Sequence, residues 1–378
     1  MLRKPIDNSL IALAEYIRKQ LGDWPGSSSV SRIYIKHSDE LSNGDVLIIF
    51  DDDYTKHTFA QIISWATMAN VIVIKYDNYV AVLYHAGIQY ALRSTKLLTE
   101  EWIAAFAAFI DCGFVPLDAL VLALAWRDSD KHKSCGSNYL TREQSNNIPH
   151  FLNYWPFDIT CYPQINDSPL PLDIQFPRCP EKLGLYPVMP SAEWVDRVLD
   201  AGVVTVQLRV KGATQVELRT EIKRAIAIGH RYPSARVFIN DYWKIAADEG
   251  AYGVHLGQED VETADLEAIT RAGMRIGLSS HGYYEILKAL HIRPSYLAIG
   301  PVFATSTKII AVPPQGLTRL SCYVGFASQL APLVAIGGID RSTISSVIAT
   351  GVGSVAVVSA ITRSADWRAT VYDFMQFF

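Results

Sequence analysis

Two acids stand just past two short apolar runs. Asp241 closes ARVFIND (235–241), and Asp260 follows GVHLG (253–257). Acids delivered by neighbouring strands converge on one hard cation. Mg²⁺ takes one or two carboxylates and leaves its other positions to water and phosphate. Three cations recur at equivalent places: Arg209 closing VVTVQLR (203–209), Lys211 just beyond it, and Lys308 in the loop after YLAIGPV (296–302). They suit a polyanion. Gly337 and Gly338 end LVAIGGI (333–339), and Ser359 lies in SVAVVSA (354–360). Bare backbone N–H groups in such turns receive phosphate. Gln207, Asn240, the Ser279-Ser280-His281 run and the Thr305-Ser306-Thr307 run complete a polar set. Together they predict two phosphate-bearing ligands and one Mg²⁺.

Each residue alone has an ordinary reading. Asp241 in NDY is a turn or cap, and Asp260 is a cap for the following helix. GGI is a tight turn. Lys211 and Lys308 are solvated, and His255 belongs to the core. The joint placement at successive strand ends carries the functional reading.

The elements that must position this set follow from periodicity. The two remaining strands are LGLYPVM (183–189) and MRIGLSS (274–280). Helical patterns fill most gaps, among them 216–230 and 341–351. Apolar strands with little alternation mean a parallel sheet covered on both faces. Eight strand–helix units predict an α/β fold, a closed (β/α)8 TIM barrel, over residues 181–378. An open doubly wound sheet is the rival, and no GxGxxG follows the first strand. In such barrels, chemistry gathers at the C-terminal ends of the strands.

Residues 127–148 are polar, and residues 149–180 hold seven of the 18 prolines. Proline fixes φ and cannot donate to a ladder, so 127–180 reads as a linker. Residues 1–126 form a smaller α/β or α+β domain. It has a helix over 8–20, strand-like runs at 33–37, 45–53 and 70–86, and an apolar helical pair across 100–126. Asp51-Asp52-Asp53 reads as a solvated strand end, with a metal site as the alternative.

Composition limits the function classes. The chain of 378 residues suits two domains, with 49% hydrophobic and 19% charged residues. A net charge of −4 argues against a nucleic-acid protein relying on a general basic field. Glu15, Arg18 and Lys19 break the N-terminal apolar stretch, which argues against a signal peptide. Asp111, Gly113, Pro116 and Asp118 interrupt the most apolar segment, which argues against a membrane helix. Five cysteines without a CxxC pair read as reduced thiols in a cytoplasmic protein.

With these residues in view, the second half resembles thiamine phosphate synthases. The segments LGLYPV, VQLRVK, FINDYW, GVHLGQED, IGLSSH, TSTK, PPQGL, VAIGGI and GVGSVAVVSAIT carry the resemblance in order, from Leu183 to about Trp367. That family joins a pyrimidine methyl diphosphate to a thiazole phosphate, giving thiamine phosphate and pyrophosphate with Mg²⁺. The resemblance implies pyrimidine-diphosphate contacts from Gln207, Leu208, Arg209, Val210, Lys211 and Asn240. It implies Mg²⁺ ligands at Asp241 and Asp260, and further diphosphate contacts at Ser279 and Lys308. Lys211, Lys308 and Ser279 would act in catalysis. Thr305, Ser306 and Thr307 would form a thiazole-phosphate loop, with Gly338, Val358 and Ser359 as its phosphate cradle. Ala304 stands where the family often has proline. The implied partners are small-molecule substrates, and self-association stays open. Two other readings are a thiazole tautomerase on the same barrel and a precursor-binding regulator without catalysis. In the first domain, AAFIDCGFVPLDALVLALAW (107–126) faintly resembles the C-terminal helices of pyrimidine-phosphate kinases of the ribokinase class. LLTEEW (97–102) stands where their Gly-rich anion loop would be, so a non-catalytic remnant, a regulatory unit or an oligomerisation unit is expected.

Overall fold

The computed structural model describes residues 8–21, 24, 33–35, 45–50, 62, 64, 71–126, 158–165, 174–305 and 312–378. They fall into two compact units, the first reaching Ile165 and the second starting at Ile174.

The first unit is a mixed sheet of six strands in sequential order: β1 (Ile33–Ile35), β2 (Val46–Phe50), β3 (Val71–Lys75), β4 (Val80–His85), β5 (Ile88–Arg93) and β6 (Gln164–Ile165). The first three are parallel and the rest antiparallel. The run at 70–86 is not one strand but a hairpin. Asp77 Oδ1 accepts from the backbone N–H groups of Tyr79 and Val80 at 2.6 and 2.7 Å, and this local Asx turn reverses the chain. Helices Glu101–Asp111 and Pro116–Ala125 follow, with Pro116 opening the second, where its missing N–H costs nothing. Asp51, Asp52 and Asp53 lie outside the described residues.

The second unit is a closed parallel barrel. Its strands are β7 (Gly184–Met189), β8 (Thr205–Leu208), β9 (Arg236–Asn240), β10 (Gly253–Leu256), β11 (Arg275–Ser280), β12 (Tyr296–Ile299), β13 (Leu333–Ile336) and β14 (Ser354–Val357). They pair in sequence order, and β14 closes on β7. The open sheet is thereby excluded. Most strand residues are buried, as expected where helices cover one face and the barrel fills the other. Inside, Tyr186, Val188, Phe238, Tyr296, Ala298, Val334 and Ala356 form one cluster. The helices start where the sequence supplies caps. Ser191 Oγ accepts from Trp194 N–H, and Thr214 and Glu217 form a reciprocal capping box.

The boundaries of the linker differ from the sequence reading. Residues 158–165 belong to the first unit, and β6 adds to its sheet as a two-residue edge strand. Pro163 is tolerated there because it precedes the strand. Residues 174–180 belong to the barrel's unit: Ile174, Phe176 and Cys179 are buried, and Cys179 joins the cluster inside the barrel. Backbone carbonyls of this strap accept from Ser295 Oγ at 2.8 Å and Arg275 Nε at 3.1 Å. Proline leaves C=O groups free, and side-chain donors meet them. Among the described residues, no helix is long and apolar enough to cross a membrane.

Candidate active site

A cavity of about 330 Å³ opens at the C-terminal ends of the barrel strands. Gln207, Arg209, Asn240, Asp241, Asp260, Ser279, Thr305, Gly338, Val358 and Ser359 all line it. These residues span more than 150 positions of sequence, and parallel strand order delivers them to one rim. Three of the expected contacts lie elsewhere. Gln207 points inward, so pleating turns Leu208 to the other face, where it is buried outside the cavity lining. Val210 and Lys211 lie in the loop beyond β8 and do not line the cavity, and Lys211 is exposed. Ser306, Thr307 and Lys308 lie outside the described residues.

The two acids share this rim. Asp241 holds φ at +66°, in the left-handed region, directly after β9. A non-glycine residue is held there at a cost, and such positions cluster at functional sites. Its N–H donates to His255 C=O at 2.9 Å, which extends the β9–β10 pairing to the acid itself. Asp260 Oδ2 accepts from Gly257 N–H at 3.2 Å, so the capping role read for it exists. Its other carboxylate oxygen has no hydrogen-bond partner among the described residues. No group of three or more His, Cys, Asp or Glu side chains positioned for a metal occurs among the described residues. A pair of carboxylates is the donor set of a Mg²⁺ shared with phosphate oxygens, and it does not suit a closed zinc site.

The glycine turn answers to a neighbouring loop. Gly337 and Gly338 have φ of +103° and +65°. A Cβ on Gly337 would lie 2.6 Å from Pro301 Cα, and one on Gly338 would lie 2.5 Å from the Ala304 carbonyl oxygen. Phe303 N–H donates to Gly337 C=O at 2.9 Å. The glycines therefore let the loop carrying Thr305 lie against the turn after β13.

Residues beyond the sequence-stated set also line the cavity. His255, read there as core, is buried with both ring nitrogens bonded: Nδ1 to Tyr296 Oη at 2.7 Å and Nε2 to Ser279 Oγ at 2.8 Å. Tyr186 Oη lies 2.8 Å from Tyr296 Oη and accepts from Gln207 Nε2 at 3.3 Å. Burial pushes both phenols above their ordinary range, so they stay neutral. His281, part of the polar run read from the sequence, also lines the mouth, with Nδ1 2.8 Å from Glu285 Oε2. For Tyr186, His255 and Tyr296, strand phase alone was the available signal, since they share the inward phase of Gln207 and Ser279.

Residues 185–361 match the family model described as "Thiamine monophosphate synthase". A thiamine-phosphate synthase of Serratia proteamaculans is 52% identical over 201 residues, covering 53% of this chain and 94% of that protein. One of Cronobacter sakazakii is 56% identical over 193 residues, covering 51% of this chain and 91% of that protein. Among solved structures, a thiamine phosphate pyrophosphorylase from Pyrococcus furiosus aligns with a TM-score of 0.46 and 31% identity, over 52% of this chain and 96% of that one. At 52% and 56% identity over 94% and 91% of the Serratia and Cronobacter proteins, the chain belongs to the thiamine-phosphate synthase family.

Proposed function

We propose that the second unit is a working thiamine-phosphate synthase, a transferase. It joins 4-amino-2-methyl-5-(diphosphooxymethyl)pyrimidine to thiazole phosphate and releases pyrophosphate. The observation that carries this reading is the gathering of Arg209, Asn240, Asp241, Asp260 and Ser279 with the glycine turn around one cavity.

The bond that breaks joins the pyrimidine methylene carbon to the diphosphate oxygen. The bond that forms joins that carbon to the thiazole nitrogen. The aminopyrimidine stabilises positive charge on the methylene, which favours departure before attack. The nitrogen attacks with a neutral lone pair and has no proton to lose, so no general base is needed. Asp241 and Asp260 would hold Mg²⁺, which when bound offsets charge growing on the leaving pyrophosphate. Arg209 sits at the same rim and adds a fixed positive charge, and Ser279 adds a hydroxyl. Gln207 and Asn240 would orient the pyrimidine. The turn at Gly338 and the start of the short helix at Ser359 would receive the thiazole phosphate. Holding both partners together replaces a bimolecular encounter by an oriented one. We assign Leu208 and Val210 no side-chain contact, and Lys211, Ser306, Thr307 and Lys308 remain family-implied phosphate contacts. The first unit is proposed as a non-catalytic module.

The test mixes purified protein, both phosphorylated precursors and Mg²⁺ and measures thiamine phosphate. Formation that needs all three supports the synthase. Binding of both precursors without product would instead make the chain a precursor-binding regulator.

A further inference from the structure

Five polar side chains from five barrel strands form one continuous hydrogen-bonded line across the cavity floor: Gln207, Tyr186, Tyr296, His255 and Ser279. Three of them carry no role in the reaction described above. Gln207, Tyr186, Tyr296 and His255 are buried, and each step is 2.7–3.3 Å. Buried polar groups are costly unless each donor meets an acceptor, so the proton positions along the line are constrained.

The constraint has a direction. The Gln207 amide presents Nε2, which only donates, to Tyr186 Oη. If the proton of Tyr186 goes to Tyr296 and that of Tyr296 to His255 Nδ1, every donor is matched. His255 then carries its single proton on Nε2 and donates it to Ser279 Oγ. Ser279 has its acceptor side occupied and turns its own proton into the cavity it lines. The opposite sense would leave the Tyr186 proton without an acceptor in the line, unless Gln207 turned over to present its carbonyl oxygen. The reversed line also requires the proton on His255 Nδ1 and turns the Ser279 proton away from the cavity. The raised phenols exclude a charged tyrosinate as an alternative acceptor.

We propose that Tyr186, Tyr296 and His255 are positioning residues that hold Ser279 as a hydrogen-bond donor toward the departing diphosphate, and that Tyr296 fixes the His255 tautomer on which this depends. The kinetic part rests on the synthase reading, whereas the tautomer is a property of the free protein. In the protein labelled with ¹⁵N-histidine, the His255 signals are those lost in His255→Asn among the nine histidines. Nε2–H is expected in the wild type, with a shift toward Nδ1–H in Tyr296→Phe. Nδ1–H in the wild type overturns the proposal, whatever the activity, and that spectrum requires no variant other than the assignment one. In turnover, Tyr296→Phe and Ser279→Ala should each lower kcat ~10-fold, the scale of one hydrogen bond, and the double variant should fall no further. Multiplying losses, or an unchanged kcat in Tyr296→Phe, would refute the coupling. Inactive wild-type protein with Nε2–H would keep the line and reject the synthase reading instead.

Discussion

Asp241 combines a left-handed backbone with a carboxylate at the cavity rim. The two features are separable by substitution. Asp241→Gly removes the carboxylate and relaxes φ, so the melting temperature should not fall while activity drops ~100-fold or more, the scale of one lost electrostatic contact. Asp260→Ala should lose as much activity and also some stability, because it removes the bond to Gly257 N–H; a cap of this kind contributes ~1 kcal/mol. Thermal melts beside turnover check both, and near-normal turnover in either variant would remove that acid from the metal site. Cys179 offers a pH test on the opposite side of the barrel. Burial pushes its thiol from 9.0 up to about 12. A raised thiol favours the folded state at pH values below 9 and loses that contribution as pH climbs toward 12. Melting temperature should therefore fall between pH 9 and 11, less so in Cys179→Ala; equal slopes would reject the assignment. The acids, Arg209 and the glycines were legible because unlike residues punctuate apolar runs. Tyr186, His255 and Tyr296 were not, because on a strand they look like filling. Their chemistry exists only once β7, β10 and β12 face one another across the lumen.

At the scale of elements, the turn after β13 and the loop after β12 act as one piece. Gly338→Ala forces φ of +65° on an alanine and sets a Cβ 2.5 Å from the Ala304 carbonyl. We expect a loss of about 1–2 kcal/mol from the backbone alone, with the loop carrying Thr305 displaced. KM for the thiazole phosphate should rise. Gly351→Ala is the control: φ is +88°, the nearest atom to its Cβ is Val324 Cγ1 at 3.5 Å, and it does not line the cavity. It should cost similar stability with KM unchanged. Titrating the thiazole phosphate against both variants decides the matter, and an unaltered KM in Gly338→Ala would leave the glycine a purely structural role. The eight strands could be read from the sequence because β-branched runs buried on both faces admit little else. The hairpin of β3 and β4 was hidden because apolar residues run on either side of the Asx turn, and only Asp77 marks the reversal.

For the whole molecule, the family match at 185–361 lies within the second unit, and the Serratia relative is matched over 94% of its own length. Relatives of that length leave little room for a first unit like this one. Catalysis should then reside in the barrel together with its strap. The prolines of 149–180 pointed to a connector, but proline content does not say what lies beside it. Ile174, Phe176 and Cys179 are buried, Cys179 within the barrel cluster, and Ser295 and Arg275 tie down the backbone. Two deletions separate connector from strap. A protein starting at residue 173 should stay soluble and keep most of the kcat of the full chain. One starting at residue 183 loses Ile174 and Phe176, whose burial contributes ~1.5–3 kcal/mol each. It should melt well below the longer protein, or fail to fold, although no cavity residue has been removed. If the protein starting at 173 were folded but inactive, the first unit would have a part in the reaction. If both melted alike, the strap would be only a tether.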